Sequence, residues 1–239
     1  VYPIGVTTNS QNGVQDFKRI YGVLEAMQEC GMLLLLHGES PKPEVFCMER
    51  EKKFHSTLIS IAEKFPDLKI VLEHITTSDS VDIVKMFDNV AATITIHHLM
   101  ITLDDVVGGM LSPHHFCKPI AKRPQDRMAL REAAFSGSPK FFYGGDSAPH
   151  LKEKKECACG CAGVFNAPVA LPLLVQLFEE FCRLDLLENF ASTFGARFYG
   201  LPRNTKRIQL VKQDWTVPSE YSGIVPFMAG KTLHWKMAD

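Results

Sequence analysis

The sequence is poor in features that would announce a macromolecular partner. Formal charge nearly cancels, 26 Lys and Arg against 27 Asp and Glu, for a net −1 over 239 residues. With no long basic stretch, there is no electrostatic case for nucleic acid or an anionic membrane surface. The one dense charge run, Lys152-Glu153-Lys154-Lys155-Glu156, is mixed in sign and reads as a solvated loop. No apolar stretch approaches the roughly 20 residues of a bilayer span, and the opening residues lack a signal-peptide pattern. Cys is present seven times, an odd and scattered set that predicts reduced thiols and a cytoplasmic setting rather than a disulfide framework. No internal repeat or low-complexity segment occurs.

What is present is a set of short apolar runs separated by helix-like segments. Met32–Leu36, Lys69–Leu72, Val90–Ile96 and Phe141–Gly145 read as strands. Helices are predicted over 16–30, 49–65, 79–87, 124–135, 169–181 and 184–199, with Gly31 as a stop and Pro124 as a start. Residues 4–13 and 146–166 read as loops. The tail from Arg207 holds short alternating pieces that read as a small β appendage. Strands alternating with helices predict a parallel α/β sheet. An eight-stranded barrel takes about 250 residues, so four strands correspond to the second half of a (β/α)8 TIM-type barrel. The expected division is 1–205 for the barrel half and 206–239 for a C-terminal extension packed on it.

Polar residues stand just past these runs. His37 follows the first, His74 the second, and Asp146 the fourth, with His150 four residues on. Carboxyl ends of parallel strands share one rim, where such barrels keep their chemistry. A lone strand-end His is commonly a hydrogen-bonded structural residue, and an Asp after two glycines can simply cap a turn. Two His on adjacent strands facing an Asp instead match a metal-hydrolase site. Gly38 is expected to let the backbone turn away and leave the His37 imidazole projecting. Asp146 suits a ligand that also moves a proton, and His150 suits an anionic substrate group or a proton shuttle. Cys157, Cys159 and Cys161 alternate, which is not the C-x-x-C pair of common structural zinc sites. His97-His98, read as following a strand, would point to opposite faces. They and His114-His115 are taken as structural. Cys117-Lys118-Pro119 reads as a loop able to offer backbone contacts.

Seven motifs occur in order: Val1-Tyr2-Pro3 with Thr7-Thr8-Asn9-Ser10; Leu36-His37-Gly38-Glu39; Glu73-His74-Ile75-Thr76-Thr77; Ala92-Thr93-Ile94-Thr95 with His98-Leu99-Met100; Phe116-Cys117-Lys118-Pro119; Gly145-Asp146-Ser147-Ala148-Pro149-His150; and Cys161-Ala162-Gly163. Together they resemble the short monofunctional dihydroorotases of the amidohydrolase superfamily, from residue 1 to about 230. The resemblance implies a barrel with two Zn2+ ions bridged by a carboxylated lysine, interconverting N-carbamoyl-L-aspartate and (S)-dihydroorotate in pyrimidine biosynthesis. It implies that His37 and His74 bind the more exposed zinc, and that Asp146 binds the other and acts as general base or acid. It implies that His150 holds the substrate carboxylate, that the Lys118 backbone and Ala162-Gly163 contact the substrate, and that Thr7 and Thr8 lie on a closing loop. The partners it implies are a small-molecule substrate and a second copy in a homodimer.

The family's first-strand His-x-His and its bridging lysine do not occur in this sequence. The family lysine precedes a pattern in which Val1-Tyr2-Pro3 would follow it directly, so the expectation is a preceding segment that carries these ligands. Competing readings are another cyclic-amide hydrolase, hydantoinase- or dihydropyrimidinase-like; an inactive barrel serving as an assembly partner; and a zinc-binding interaction module built on the Cys cluster.

Overall fold

The computed structural model describes residues 1–7 and 9–238. Thr8, expected on the closing loop, lies outside the described residues. The four apolar runs form β1 (Leu34–His37), β2 (Ile70–Glu73), β3 (Val90–Ile94) and β4 (Phe141–Tyr143). They make one sheet in chain order, every pairing parallel. The helices are α1 (Tyr21–Glu29), α2 (Arg50–Lys64), α3 (Ser78–Met86), α4 (Ile96–Met100), α5 (Asp104–Val107), α6 (Pro124–Ala134), α7 (Lys152–Lys155), α8 (Ala170–Glu180), α9 (Leu184–Glu188) and α10 (Phe194–Tyr199). An antiparallel ribbon, β5 (Leu210–Thr216) and β6 (Thr232–Met237), forms the tail. It docks on α8 through Glu179, which accepts from Lys212 Nζ (2.8 Å) and Trp235 Nε1 (2.9 Å).

Side chains along the strands alternate between two faces. Leu34, Leu36, Ile70, Leu72, Val90, Ala92, Ile94 and Phe141 enter the main core with the helices. Helix α2 meets that core with Phe54, Leu58, Ile61 and Ala62, one stripe of a 3.6-residue period. Val71, Ala91 and Phe142 face the other way, against Phe194, Phe198 and Tyr199 around α10. By the same alternation His37, Glu73 and Thr93 belong to this second face.

Several boundaries differ from the sequence reading for local reasons. Met32 is not strand: its N–H folds back onto Met27 O (2.8 Å) to close the end of α1. The third strand stops at Ile94 because the Thr95 hydroxyl accepts from His98 N–H (3.2 Å) and starts α4. His97 and His98 are therefore helical neighbours, both buried, and not alternate residues of a strand. The predicted helix 184–199 is divided by a π-helical stretch, Asn189–Thr193. The expected loop 146–166 contains α7, whose last residue, Lys155, is buried; the charge run is not wholly solvated. Gly38 is explained by space rather than by a turn, since a Cβ there would meet Leu72 Cδ1 at 2.5 Å.

One buried carboxylate ties α2 to the segment after β2. Glu51, 1% exposed, accepts from Thr76 N–H (2.9 Å), Thr77 N–H (3.1 Å), Thr77 Oγ1 (2.9 Å), Ser80 Oγ (2.5 Å) and the Thr76 hydroxyl. Burial alone would raise its pKa, but Lys122 and these donors outweigh it and hold the group below the ordinary carboxylate value. Its contribution is therefore present above the unfolded pKa and lost as pH falls through the folded one. Glu51→Ala strands these buried donors and should cost about 3–5 kcal/mol in denaturant unfolding. A loss below about 1 kcal/mol would show that the network is replaceable by water.

Candidate active site

The parallel register sets His37 directly beside Glu73. His74 is the next residue and turns the chain into the left-handed region, with φ of 42°. Its N–H donates to Thr93 Oγ1 (2.6 Å), and that hydroxyl donates to Glu73 Oε2 (2.7 Å). Non-glycine residues pay for this conformation with strain, and such residues concentrate at functional sites. Asp146 repeats the pattern beyond β4, with φ of 37°. The sequence-predicted ligands therefore include two left-handed residues, one at the end of β2 and one near the end of β4.

The His37 and His74 rings stand edge to face, with centroids 4.8 Å apart. His37 Nε2 is 2.9 Å from the buried Glu39 carboxylate, which fixes the ring and leaves Nδ1 for another partner. His74 Nδ1 is buried with no hydrogen-bond partner. Burial, with His37 and His98 nearby, depresses the His74 pKa well below its ordinary value, so the ring is neutral. Asp146 is raised to about 6, first by the protein packed around it; His37 pulls it down and Glu73 pushes it up. Its side of the rim is exposed, so solvent screens these effects.

These three residues do not form one tight ligand cluster. Among the described residues, the trio with all donor atoms within 4.8 Å of one another is His97, His98 and Cys117. Its hydrogen bonding is already satisfied at His98, where Nδ1 meets Thr95 Oγ1 (2.9 Å) and Nε2 meets Pro119 O (3.0 Å). A carbonyl only accepts, so Nε2 carries the proton and Nδ1 takes the hydroxyl's. Burial lowers His98 to about 4 and raises Cys117 to about 12, keeping both neutral. This trio braces the floor of the rim. The open rim offers the better fit to a cation: the His37 and His74 rings face each other, His74 Nδ1 is buried without a partner, and a carboxylate stands nearby. In the trio His97 Nε2 also lacks a partner, but both His98 nitrogens are engaged and burial keeps the Cys117 thiol protonated.

A second group adjoins Asp146. Residues 147–148 pair with Val164, which brings His150 onto the 161–163 segment. His150 Nε2 donates to Ala162 O (3.1 Å). Gly163, at φ of 151°, passes so close that a Cβ would meet Ala148 O at 2.6 Å, and its N–H donates to Phe116 O (2.9 Å). Lys118 lies two residues along from Phe116. Thr7 is bonded within its own loop: its N–H and carbonyl both bond Ser10 Oγ (3.0 and 2.5 Å), and Ile4 N–H meets Val14 O (3.1 Å). The alternating cysteines are not a joint ligand set either. Cys157 and Cys159 are exposed with sulfurs 3.7 Å apart, and Cys161 is half-buried. A cleft of about 390 Å³ lined by Phe17, Tyr21, Ser40 and Phe54 includes none of the rim groups.

Asn166 and Lys155 escaped the sequence reading. Asn166, fully buried, donates from Nδ2 to Gly145 O (2.7 Å), one residue before Asp146, and contacts His97 Nδ1 (3.0 Å). An Asn before Ala-Pro looks like an ordinary turn residue, and no local signal separates the two cases.

No family model matches the chain. A dihydroorotase from Hahella chejuensis is 52% identical over 242 residues, covering 99% of this chain and 70% of that one. The crystal structure of the dihydroorotase from Saccharomyces cerevisiae in complex with 5-fluoroorotic acid is 38% identical, with a TM-score of 0.92, over 99% of this chain and 72% of that one. An L-hydantoinase (dihydropyrimidinase) from Arthrobacter aurescens has a TM-score of 0.81 at 15% identity, over 99% of this chain and 61% of that one, and shares the fold alone. The four parallel strands are thus part of a TIM-type α/β barrel of the amidohydrolase kind. With half its residues shared with a relative it matches almost end to end, the chain belongs to the dihydroorotase family.

Proposed function

We propose that the rim of this chain carries out the family reaction, the reversible opening of the cyclic amide of (S)-dihydroorotate to N-carbamoyl-L-aspartate, with His37, His74 and Asp146 as its metal ligands. The observation that carries the assignment of the ligands is the pairing of the His37 and His74 rings, edge to face, with a buried His74 nitrogen left over. The enzyme is a metal-dependent hydrolase; zinc is the metal proposed, two ions as in the expected family site. Imidazole and carboxylate suit zinc. When bound, the metal supplies acidity to water and polarises an amide carbonyl.

The protein groups divide the remaining work. Asp146 accepts a proton on its carboxylate and delivers it to the departing ring nitrogen, and the reverse transfer serves ring closure. Glu39 keeps the His37 ring in one orientation. His150, anchored through Nε2–H on Ala162 O, is proposed to meet the substrate carboxylate with Nδ1 when that nitrogen also carries a proton. The Ala162 N–H and the Lys118 backbone are proposed to meet the polar edge of the pyrimidine ring, with Gly163, whose N–H and carbonyl are already bonded to Phe116 O and Lys155, contacting it by close approach alone. Thr7, and Thr8 with it, are proposed to close from the 4–13 loop over the bound substrate.

The hydantoinase alternative is disfavoured by the identity gap, 15% against 52%. The chain's small net charge supports a small-molecule substrate. Seven free thiols support a cytoplasmic setting. A homodimer is the assembly proposed, and 206–239 the extension, supported by the docked β5–β6 ribbon.

Asp146→Asn should lower kcat by about 100- to 10,000-fold with an unchanged unfolding midpoint, since it removes the proton acceptor from an exposed side chain. Near-normal turnover would refute the role. His150→Ala should raise KM for dihydroorotate about tenfold with a smaller change in kcat, as expected for lost ground-state binding. An unchanged KM would count against its contact with the carboxylate.

A further inference from the structure

The run Lys152–Glu156 hides an unusual lysine. Lys152, Glu153, Lys154 and Glu156 are exposed, but Lys155 is only 4% exposed. Its ammonium has three N–H bonds and finds three backbone carbonyls: Phe116 O (2.9 Å), Cys161 O (2.9 Å) and Gly163 O (2.6 Å). Among the described residues no carboxylate pairs with it. Burial draws its pKa down to about 8, as befits a cation removed from water and held by dipoles alone. A buried charge of this kind is costly unless each donor is satisfied, and here each is.

The carbonyls it gathers belong to two separate segments. One is Phe116, which leads into Lys118; the other is 161–163, which carries Ala162 and Gly163. The segments bond directly where Gly163 N–H meets Phe116 O (2.9 Å). Lys155 straddles that junction, and Cys161 N–H returns a bond to Lys154 O (2.9 Å), fastening α7 to the same segment. His150 in turn takes its orientation from Ala162 O. A displacement of 161–163 would therefore move His150 and both backbone segments together.

We propose that Lys155 is a positioning residue for substrate binding: its ammonium clamps the 116–118 and 161–163 segments into one surface and so sets the geometry of His150, Ala162 and Gly163. This rests on the reading that those groups contact the substrate. The lysine itself touches no reacting atom, so its loss acts on substrate affinity before turnover.

The test is Lys155→Met in the metal-loaded enzyme, which keeps the stem length and removes all three donors. KM for dihydroorotate should rise about tenfold or more, with kcat changed less and metal content unchanged, because charged hydrogen bonds of this kind are worth that factor or more each. Binding of 5-fluoroorotic acid, followed by its ¹⁹F signal, should weaken in parallel. Lys155→Ala should show the same defect, relieved by added propylammonium and not by propanol. If Lys155→Met does not fold, the alanine variant decides: a KM indifferent to propylammonium overturns the clamp. Unchanged KM and ¹⁹F titration in Lys155→Met also overturn it. His150→Ala is measured alongside. If it raises KM and Lys155→Met does not, the binding surface stands and the clamp falls; if neither raises KM, the binding surface itself is wrong.

Discussion

The parallel register of β1 to β4 is the constraint on which the rest of this structure depends. Pairing His37 with Glu73, Ala92 with Phe141 and Ile94 with Tyr143 brings all four carboxyl ends to one edge. The two-residue alternation then decides what that edge presents. Leu36, Leu72 and Ile94 go to the helices, so His37, Glu73 and Thr93 are left on the opposite face. A slip of one residue in any strand would exchange these sets, burying imidazole in hydrocarbon and exposing leucine. The same packing that stabilises the sheet therefore selects which side chains gather at the rim.

Around that edge, polar groups act mostly on one another and on backbone. Glu51 holds the segment just past His74 from below, Thr93 joins the His74 N–H to Glu73, and Asn166 fastens Gly145 just before Asp146. His98 and Cys117 fill the floor as neutral, hydrogen-bonded groups. Such a shell can keep His74 and Asp146 in left-handed backbone that neither residue type would adopt freely. His74 retains a buried nitrogen that none of this network satisfies, and a divalent cation is the partner its chemistry suits.

Much of this was legible in the sequence, where a local pattern existed to read. The apolar runs fixed four strands to within two or three residues, and position after a run brought out His37, His74 and Asp146. The misreadings share a cause. The strand is read through to Ile96, with His97 and His98 following it, because the capping Thr95 is itself β-branched and sits inside the run Thr93–Ile96, where a single hydroxyl ends the strand. Lys155 looked solvated because its neighbours in the chain are, whereas its burial comes from carbonyls 6, 8 and 39 residues away. Asn166 and Glu51 likewise act across long separations. Periodicity reports which face a residue occupies; it carries no information about convergence of distant backbone groups.

Anomalous diffraction at the zinc edge from crystals of the zinc-loaded protein tests the central claim most directly. The account predicts density for a metal against His37 and His74, within reach of the Asp146 side of the rim, and none at His97, His98 and Cys117. Zinc confined to that buried trio, or absent from the His37–His74 pair at full loading, would contradict it.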